Sequence, residues 1–244
     1  MIPPSDGTFP ETHWTLIQRL KSPDPSTVRR ALDELCRQYY YPLYCYIRHR
    51  GLEHHDAEDA LQDFLVKLLR LGTFEEADAS RGRLRAFLGT ALRRFLINWR
   101  RDHSARDRAA SLELATTGHD REQRYREERF TEAETPEFIF DRQWGLEVLH
   151  RVIHRLGKSY AARGRTCVFE TLRPVLHAGG SLRGEDTSRL AAALDTTEGA
   201  VRVALSRLLR DYRGILEDEI LQTVDSRAEV ETEIAHLLQV FAAE

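Results

Sequence analysis

The sequence is short of the residues that hold small secreted folds together or cross membranes. It has only three cysteines, an odd number without C-x-x-C spacing, so neither a disulfide framework nor a zinc site is indicated. No run approaches the roughly 18 apolar residues that a membrane span needs, and no basic stretch leads into an apolar one near Met1. We therefore expect a soluble, cytoplasmic protein with no membrane partner.

Motifs that carry catalysis are also missing. The sequence has no glycine-rich phosphate loop, no nucleophile elbow and no H-E-x-x-H motif. Four side chains that could bind a metal ion lie close together in the sequence, at His49, His54, His55 and Asp56. Their spacing does not order them on one helical face, and nothing apolar near Glu53 and Glu58 favours the protonated acid that catalysis would need. We expect no enzymatic activity, no metal and no cofactor.

The period-two alternation of β-strands is absent as well. Apolar residues recur instead at three- and four-residue steps, which predicts helices throughout. With 31% charged and 41% hydrophobic residues, the 244-residue chain can bury a sizeable core. The prediction is an all-α fold of two helical domains joined by a charged linker.

Changes in composition divide the chain. The predicted parts are an N-terminal extension, 1–26, a helical domain, 27–108, a charged linker, 109–135, a second helical domain, 136–216, and a C-terminal helical tail, 217–244. The linker has few large apolar groups, so we expect it not to pack, with at most transient helix. Apolar spacing in the tail would allow it to fold back on the second domain or to receive a partner.

Helix ends can be placed within the first domain. Pro42 is expected to interrupt or kink its first helix, and Gly51 to end it. Asp56 is a candidate N-cap for the next helix.

Positive charge is concentrated although the net charge is only −3. From Arg81 to Arg108 there are nine arginines against two aspartates, which indicates a polyanionic partner. Phe95, Asn98 and Trp99 add rings and an amide that suit unstacked bases. The two aromatic residues also share the apolar stripe of the helix, so the core is the alternative, favoured for Phe95 and left open for Trp99.

An acidic patch precedes this basic helix. Its members are Glu53, Asp56, Glu58, Asp59 and Asp63. Acidic and basic surfaces on one small domain suggest a basic protein partner as well as a nucleic acid.

The stretch LAAALDTTEGAVRVALSRLLRDYR, 190–213, predicts two helices joined by a tight turn at Asp195. Asp186 or Thr187 would cap the first helix, and Thr196 or Thr197 the second. Val201, Leu205 and Leu208 are predicted to face inward; the outer face carries Glu198, Gly199, Arg202, Val203, Ser206 and Arg207. Such a helix-turn-helix places its second helix in a DNA major groove, and an αα-hairpin within a bundle is the alternative.

Taken together, these stretches resemble the sigma factors of bacterial RNA polymerase, in particular the long-linker subgroup of the extracytoplasmic-function (ECF) group in the sigma-70 family. DAEDALQDFLVKLL is similar to region 2.2, and GRLRAFLGTALRRFLINWRRDHSAR to regions 2.3 and 2.4. The stretch 190–213 is similar to region 4.2, and FPETHWTLI and PEFIFDRQWGLEVL resemble the subgroup.

The resemblance implies a protein that binds RNA polymerase core, at the clamp helices of the largest subunit and at the flap, and directs promoter recognition and transcription initiation. It assigns polymerase binding to Asp59, Gln62, Asp63, Leu65 and Leu69. It assigns the −10 element, read as single strand, to Arg94, Asn98, Trp99, Arg100 and Arg101. It assigns the −35 element, read as duplex DNA, to Glu198, Gly199, Arg202, Val203, Ser206 and Arg207. An anti-sigma protein stays open as a further partner.

Some positions depart from the family pattern. Ala60 replaces the usual leucine of region 2.2, and Asp195 and Thr196 replace the usual glycine and aliphatic residue of the turn. Thr187 and Ser188 stand where larger apolar residues are common, which predicts looser packing. The alternative function is a helix-turn-helix regulator or helical adaptor that does not act through polymerase core. An ordinary helix-turn-helix repressor would not explain the basic helix of the first domain, and a pure adaptor predicts no salt-dependent affinity for promoters.

Overall fold

The fold is described here by a computed structural model. It describes residues 16, 19–70, 84–103, 118–128, 130–131, 133–183, 186–224 and 226–242. Over these residues there are nine helices and no strand, so the all-α prediction is confirmed there. The helices are α1 Pro25–His49, α2 His54–Arg70, α3 Leu84–His103, α4 Gly118–Glu127, α5 Pro136–Ala162, α6 Thr166–His177, α7 Thr187–Ala193, α8 Glu198–Leu221 and α9 Arg227–Ala242. No helix in these ranges is long and apolar enough to cross a membrane.

The helices belong to two compact units that differ from the predicted divisions. Unit 1 comprises Met1–Leu146 and Leu221–Glu244, and unit 2 comprises Glu147–Ile220. The predicted N-terminal extension, 1–26, lies largely outside the described residues. Unit borders depend on which helices pack together, whereas composition shows only where apolar content changes along the chain.

Local signals set the ends of α1, whereas the signal predicted for the start of α2 is not used. The carboxylate of Asp24 accepts from the backbone N–H groups of Ser26 and Thr27, and Gly51 follows α1 with a φ of 86°. Pro42 does not interrupt α1, because its ring is buried and tertiary packing offsets the lost backbone hydrogen bond. The predicted cap at Asp56 is wrong, since α2 begins two residues earlier and Asp56 lies within its first turn.

Helix α4 lies in the predicted linker, 109–135, and it packs. The Glu122 carboxylate is buried and accepts from the Tyr44 hydroxyl at 2.6 Å and from Arg48 at 3.0 Å. Arg121 donates to Glu58 of α2 at 3.0 Å, and the Arg124 guanidinium lies 3.7 Å from the centre of the Tyr41 ring. The expectation of an unpacked segment is wrong for 118–127, because charge pairs and cation–π contacts replace the apolar burial that its composition lacks.

The C-terminal helix α9 packs within unit 1, against α3 and against the first part of α5, which the sequence had placed in the second domain. Arg85 of α3 is buried, and its guanidinium donates to Glu233 of α9 at 2.7 Å and to Asp141 of α5. Glu233 is fully buried, and a Cβ at Gly145 of α5 would lie 2.9 Å from the Leu237 side chain. Glycine therefore permits the close approach of α5 and α9, and an ion pair fixes α9 to α3.

Unit 2 has a core of its own. It consists of Leu156, Tyr160, Phe169, Leu172, Val175, Leu190, Ala191, Val201, Leu205 and Leu208. The inward positions predicted for the second helix of the helix-turn-helix, Val201, Leu205 and Leu208, are confirmed by their burial.

Glu233→Ala should destabilise unit 1 by about 3 kcal/mol, because it leaves the buried Arg85 cation without one of its carboxylates. All tryptophans of the chain, Trp14, Trp99 and Trp144, belong to Met1–Leu146, so their fluorescence during urea unfolding reports unit 1. Glu231→Ala, at an exposed position of the same helix, is the control and should change stability by less than about 0.5 kcal/mol. Equal effects of the two substitutions would contradict the role given to the ion pair.

Candidate nucleic-acid interface

One side of α2 presents an acidic and apolar stripe to solvent. Asp59, Gln62 and Asp63 are exposed, as their assignment to a partner surface requires. Val66, 44% exposed, extends the stripe at helical spacing. We call Asp59, Gln62, Asp63 and Val66 the α2 stripe. It combines carboxylates with an apolar side chain, which suits a basic protein surface.

Two leucines that the resemblance assigned to polymerase binding do not extend this stripe. Leu65 is only 8% exposed and packs in the core. It shares the inward face of α2 with Leu61, Phe64 and Leu68, and this periodicity explains its burial. The side chain of Leu69 lies outside the described residues.

The last turns of α3 carry a positively charged face. Arg93, Arg94, Arg100 and Arg101 are exposed, and so is Asn98. Ile97 lies between the two arginine pairs along the helix and is 65% exposed. We call Arg93, Arg94, Ile97, Arg100 and Arg101 the α3 face. It offers cations for phosphates beside an apolar side chain that can pack on a base.

Trp99 does not belong to the α3 face, although the resemblance assigned it to DNA. Its side chain is 8% exposed, and its indole N–H donates to the Asp63 carboxylate on α2 at 3.1 Å. Phe95 is buried as well, with its ring centre 5.5 Å from that of Phe64. Both rings therefore belong to the packing of α2 against α3.

A groove of about 190 Å³ lies between α2 and α3. Phe64, Phe87 and Phe95 contribute rings to its lining, and Lys67, Arg94 and Asn98 contribute cations and an amide. Aromatic surface next to cations suits an unpaired base and its phosphate.

The basic segment 81–108 divides into different environments. Arg85 is neutralised inside unit 1 by Glu233 and Asp141, so it contributes nothing to the surface. Arg81, Arg83, Arg106 and Arg108 lie outside the described residues. Within segment 81–108, the exposed positive charge that the structure describes belongs to the α3 face.

The predicted helix-turn-helix is present in unit 2 as α7, a turn and α8. Asp186 accepts from the backbone N–H of Arg189 at 3.0 Å, and Thr197 accepts from that of Ala200 at 3.2 Å, which settles which candidates cap the two helices. Asp195 has the predicted left-handed backbone, with a φ of 48°. At the start of α8, five of the six residues assigned to the −35 element are exposed, namely Gly199, Arg202, Val203, Ser206 and Arg207.

Glu198 has a different environment from these neighbours. Its carboxylate accepts from the hydroxyl of Ser188 at 2.7 Å and of Thr187 at 3.1 Å, and Arg202 donates to it at 3.3 Å. The hydrogen bonds from Ser188 and Thr187 lower the pKa of Glu198, so the carboxylate stays ionised at neutral pH. Thr187 and Ser188 therefore tie α7 to α8 through polar contacts where larger apolar residues were expected.

Comparison with protein families finds a match in the first part of the chain. Residues 35–106 match the family model of sigma-70 region 2. Unit 1 therefore contains a sigma-70 region 2 domain. This match supports a sigma-factor role in promoter recognition, with RNA polymerase and promoter DNA as partners. Searches of curated proteins and of solved structures found no match.

The region 2 match covers α2, α3 and most of α1, and hence both the α2 stripe and the α3 face. Sequence reasoning missed two residues of these surfaces, Val66 and Ile97. Both are apolar residues off the inward stripe of their helices, and that signal could have identified them.

Asp195→Ala should destabilise unit 2 by about 1 kcal/mol, because alanine is strained at positive φ, whereas Asp195→Gly should not. Thermal unfolding followed by circular dichroism measures both variants. Tryptophan fluorescence, which reports unit 1, should be unchanged in each. An alanine variant as stable as the glycine variant would be inconsistent with the left-handed turn.

Proposed function

We propose that the chain is a sigma factor of the ECF group, in its long-linker subgroup. In this proposal α2 binds RNA polymerase core, α3 reads the −10 element as single strand, and α8 reads the −35 element as duplex DNA. The chain acts in the cytoplasm, where polymerase works, and has no catalytic activity of its own.

The α3 face is the observation that carries this proposal. Its four arginines lie on a helix of the region 2 domain in a chain whose net charge is −3, and all four are exposed to solvent. Exposed cations attract a phosphate backbone, with an affinity that falls steeply with salt. The aromatic groove beside Arg94 and Asn98 favours unpaired bases over a closed duplex.

The α2 stripe supports polymerase binding. Asp59 and Gln62, three residues apart on α2, are exposed to solvent. Val66 adds apolar surface that can be desolvated in an interface. The neighbouring Glu58 is engaged by Tyr40 and Arg121, so the acidic patch of the sequence is only partly available to a partner.

The start of α8 supports duplex recognition. Arg202 is 60% exposed at its side chain, and Arg207 and Ser206 face solvent on the following turn. Gly199 leaves the N-terminal turn of α8 open, so its backbone amides can approach a phosphate. Glu198 orients Arg202 through their ion pair, which leaves other guanidinium N–H groups for a base edge.

Val66→Asp should weaken binding to RNA polymerase core by about 2 kcal/mol, because it places a charge in the apolar part of the α2 stripe. Co-purification and fluorescence anisotropy with polymerase core measure the loss. Glu231→Arg, an exposed charge change on α9, is the matched control and should bind core normally.

Unchanged core binding by Val66→Asp would refute the α2 stripe. A chain that binds core but directs no specific transcripts from a library of promoter fragments would be an adaptor, which is the alternative function.

Arg202→Ala should weaken binding to −35 duplex DNA by about 1–3 kcal/mol if the guanidinium reaches a base edge. The −35 sequence is first selected from a library of promoter fragments. The measurement then compares the affinity for this duplex with the affinity for a scrambled duplex at several salt concentrations. Arg173→Ala, an exposed arginine of α6, is the control for the loss of one charge. An equal loss on both duplexes, with a reduced salt slope, would make Arg202 a phosphate contact.

A further inference from the structure

Among the described residues, the packing of α2 against α3 includes a polar contact beside aromatic ones. The Trp99 indole N–H donates to the Asp63 carboxylate at 3.1 Å. On the adjoining turns the rings of Phe64 and Phe95 lie 5.5 Å apart, and the Lys67 ammonium lies 5.5 Å from the Phe95 ring centre. The Asp63 contact lies nearest the C-terminal end of α3.

An indole ring has a single polar atom, so a buried tryptophan is oriented by the acceptor of its N–H. An ionised carboxylate is a stronger acceptor than a neutral group. Because Trp99 is buried and its N–H meets Asp63, the carboxylate holds the rotation of the last turns of α3, together with the Arg100 guanidinium, which donates to the backbone carbonyl of Arg50.

Those turns carry the DNA-facing cations. Arg100 and Arg101 directly follow Trp99, and Asn98 precedes it. A change in the Trp99 ring would therefore redirect the two arginines that follow it, without removing either of them from solvent.

We propose that Asp63 is a positioning residue for the α3 face, acting through Trp99, and not a polymerase contact. This inference rests on the proposed sigma-factor role. It reassigns one residue of the α2 stripe, because the Asp63 carboxylate is engaged by the DNA-binding helix, whereas Asp59 and Gln62 remain for polymerase.

Four variants separate the two roles of Asp63. Asp63→Asn keeps an acceptor for the indole N–H, and Asp63→Ala removes it. Trp99→Phe keeps an aromatic ring and removes the donor. The fourth variant combines Asp63→Ala with Trp99→Phe. Asp59→Ala, at an exposed carboxylate one turn earlier, is the matched control for a polymerase contact.

Each variant is assembled with RNA polymerase core, and two affinities are measured. One is for core itself. The other is the affinity of the assembled holoenzyme, at saturating core, for a selected promoter fragment with an unpaired −10 segment. Circular dichroism confirms that every variant is folded at the temperature used.

Asp63→Ala and Trp99→Phe should each lower the affinity for the unpaired fragment about tenfold while leaving core affinity within about twofold. Asp63→Asn should lose less affinity than Asp63→Ala, because its amide oxygen still accepts from the indole N–H, although more weakly than a carboxylate. The combined variant should be no weaker than either single variant, because both remove the same contact. Asp59→Ala should show the reverse pattern, with weaker core binding and normal binding of the fragment.

Weaker core binding by Asp63→Ala, with none by Trp99→Phe, would make Asp63 a polymerase contact and overturn the inference. Normal affinity for the fragment in both single variants, with only a lower unfolding temperature, would also overturn it, since the contact would then be merely structural. Failure of the wild-type chain to bind core would instead refute the proposed function.

Nuclear magnetic resonance tests the contact without any partner. Exchange of the Trp99 indole proton with solvent should be slow in the wild type and in Asp63→Asn, and fast in Asp63→Ala. Fast exchange in the wild type would overturn the inference even if polymerase and DNA binding are normal.

Discussion

Arg85 is the buried cation on which unit 1 depends. Its desolvation is tolerable only because Glu233 and Asp141 meet it from two other helices, with the Trp144 ring 5.2 Å from its guanidinium carbon. The same contacts bring the last helix of the chain, α9, onto the beginning of α3. The helix that carries the exposed arginines is thus anchored at one end by a buried ion pair and at the other by the Asp63–Trp99 hydrogen bond.

Polar contacts also join two other pairs of helices, α4 with α1 and α8 with α7. Glu122 joins α4 to α1 by accepting a hydrogen bond from Tyr44. Burial alone would raise the pKa of Glu122, but the hydrogen bonds from Tyr44 and Arg126 outweigh that effect and lower the pKa. Glu198 joins α8 to α7 through two hydroxyl groups. In each case the carboxylate accepts hydrogen bonds from a neighbouring helix. Carboxylates therefore act as hydrogen-bond acceptors between helices in both units, while the arginines of the α3 face and Arg202 and Arg207 of α8 are exposed.

This division of charge gives the region 2 match a physical basis. A nearly neutral chain can bind a polyanion only if its cations are sorted, and the structure sorts them by pairing some internally and exposing others. Arg85 and Arg94 are nine positions apart on one helix, yet the first is buried and the second faces solvent. The α2 stripe and the α3 face then present opposite charge from neighbouring helices.

Much of the local structure follows from the sequence alone. Helical spacing predicted the fold class and the inward face of α8, and turn and capping chemistry predicted Asp186 and the left-handed Asp195. These features depend on residues a few positions apart. The tertiary structure alone decided that Arg85 is internal, that Trp99 faces Asp63 and that α9 packs on α3 and α5. Arg85 and Glu233 are 148 residues apart. Periodicity shows which face of a helix is apolar, but the partner that covers a face is chosen by packing between distant segments.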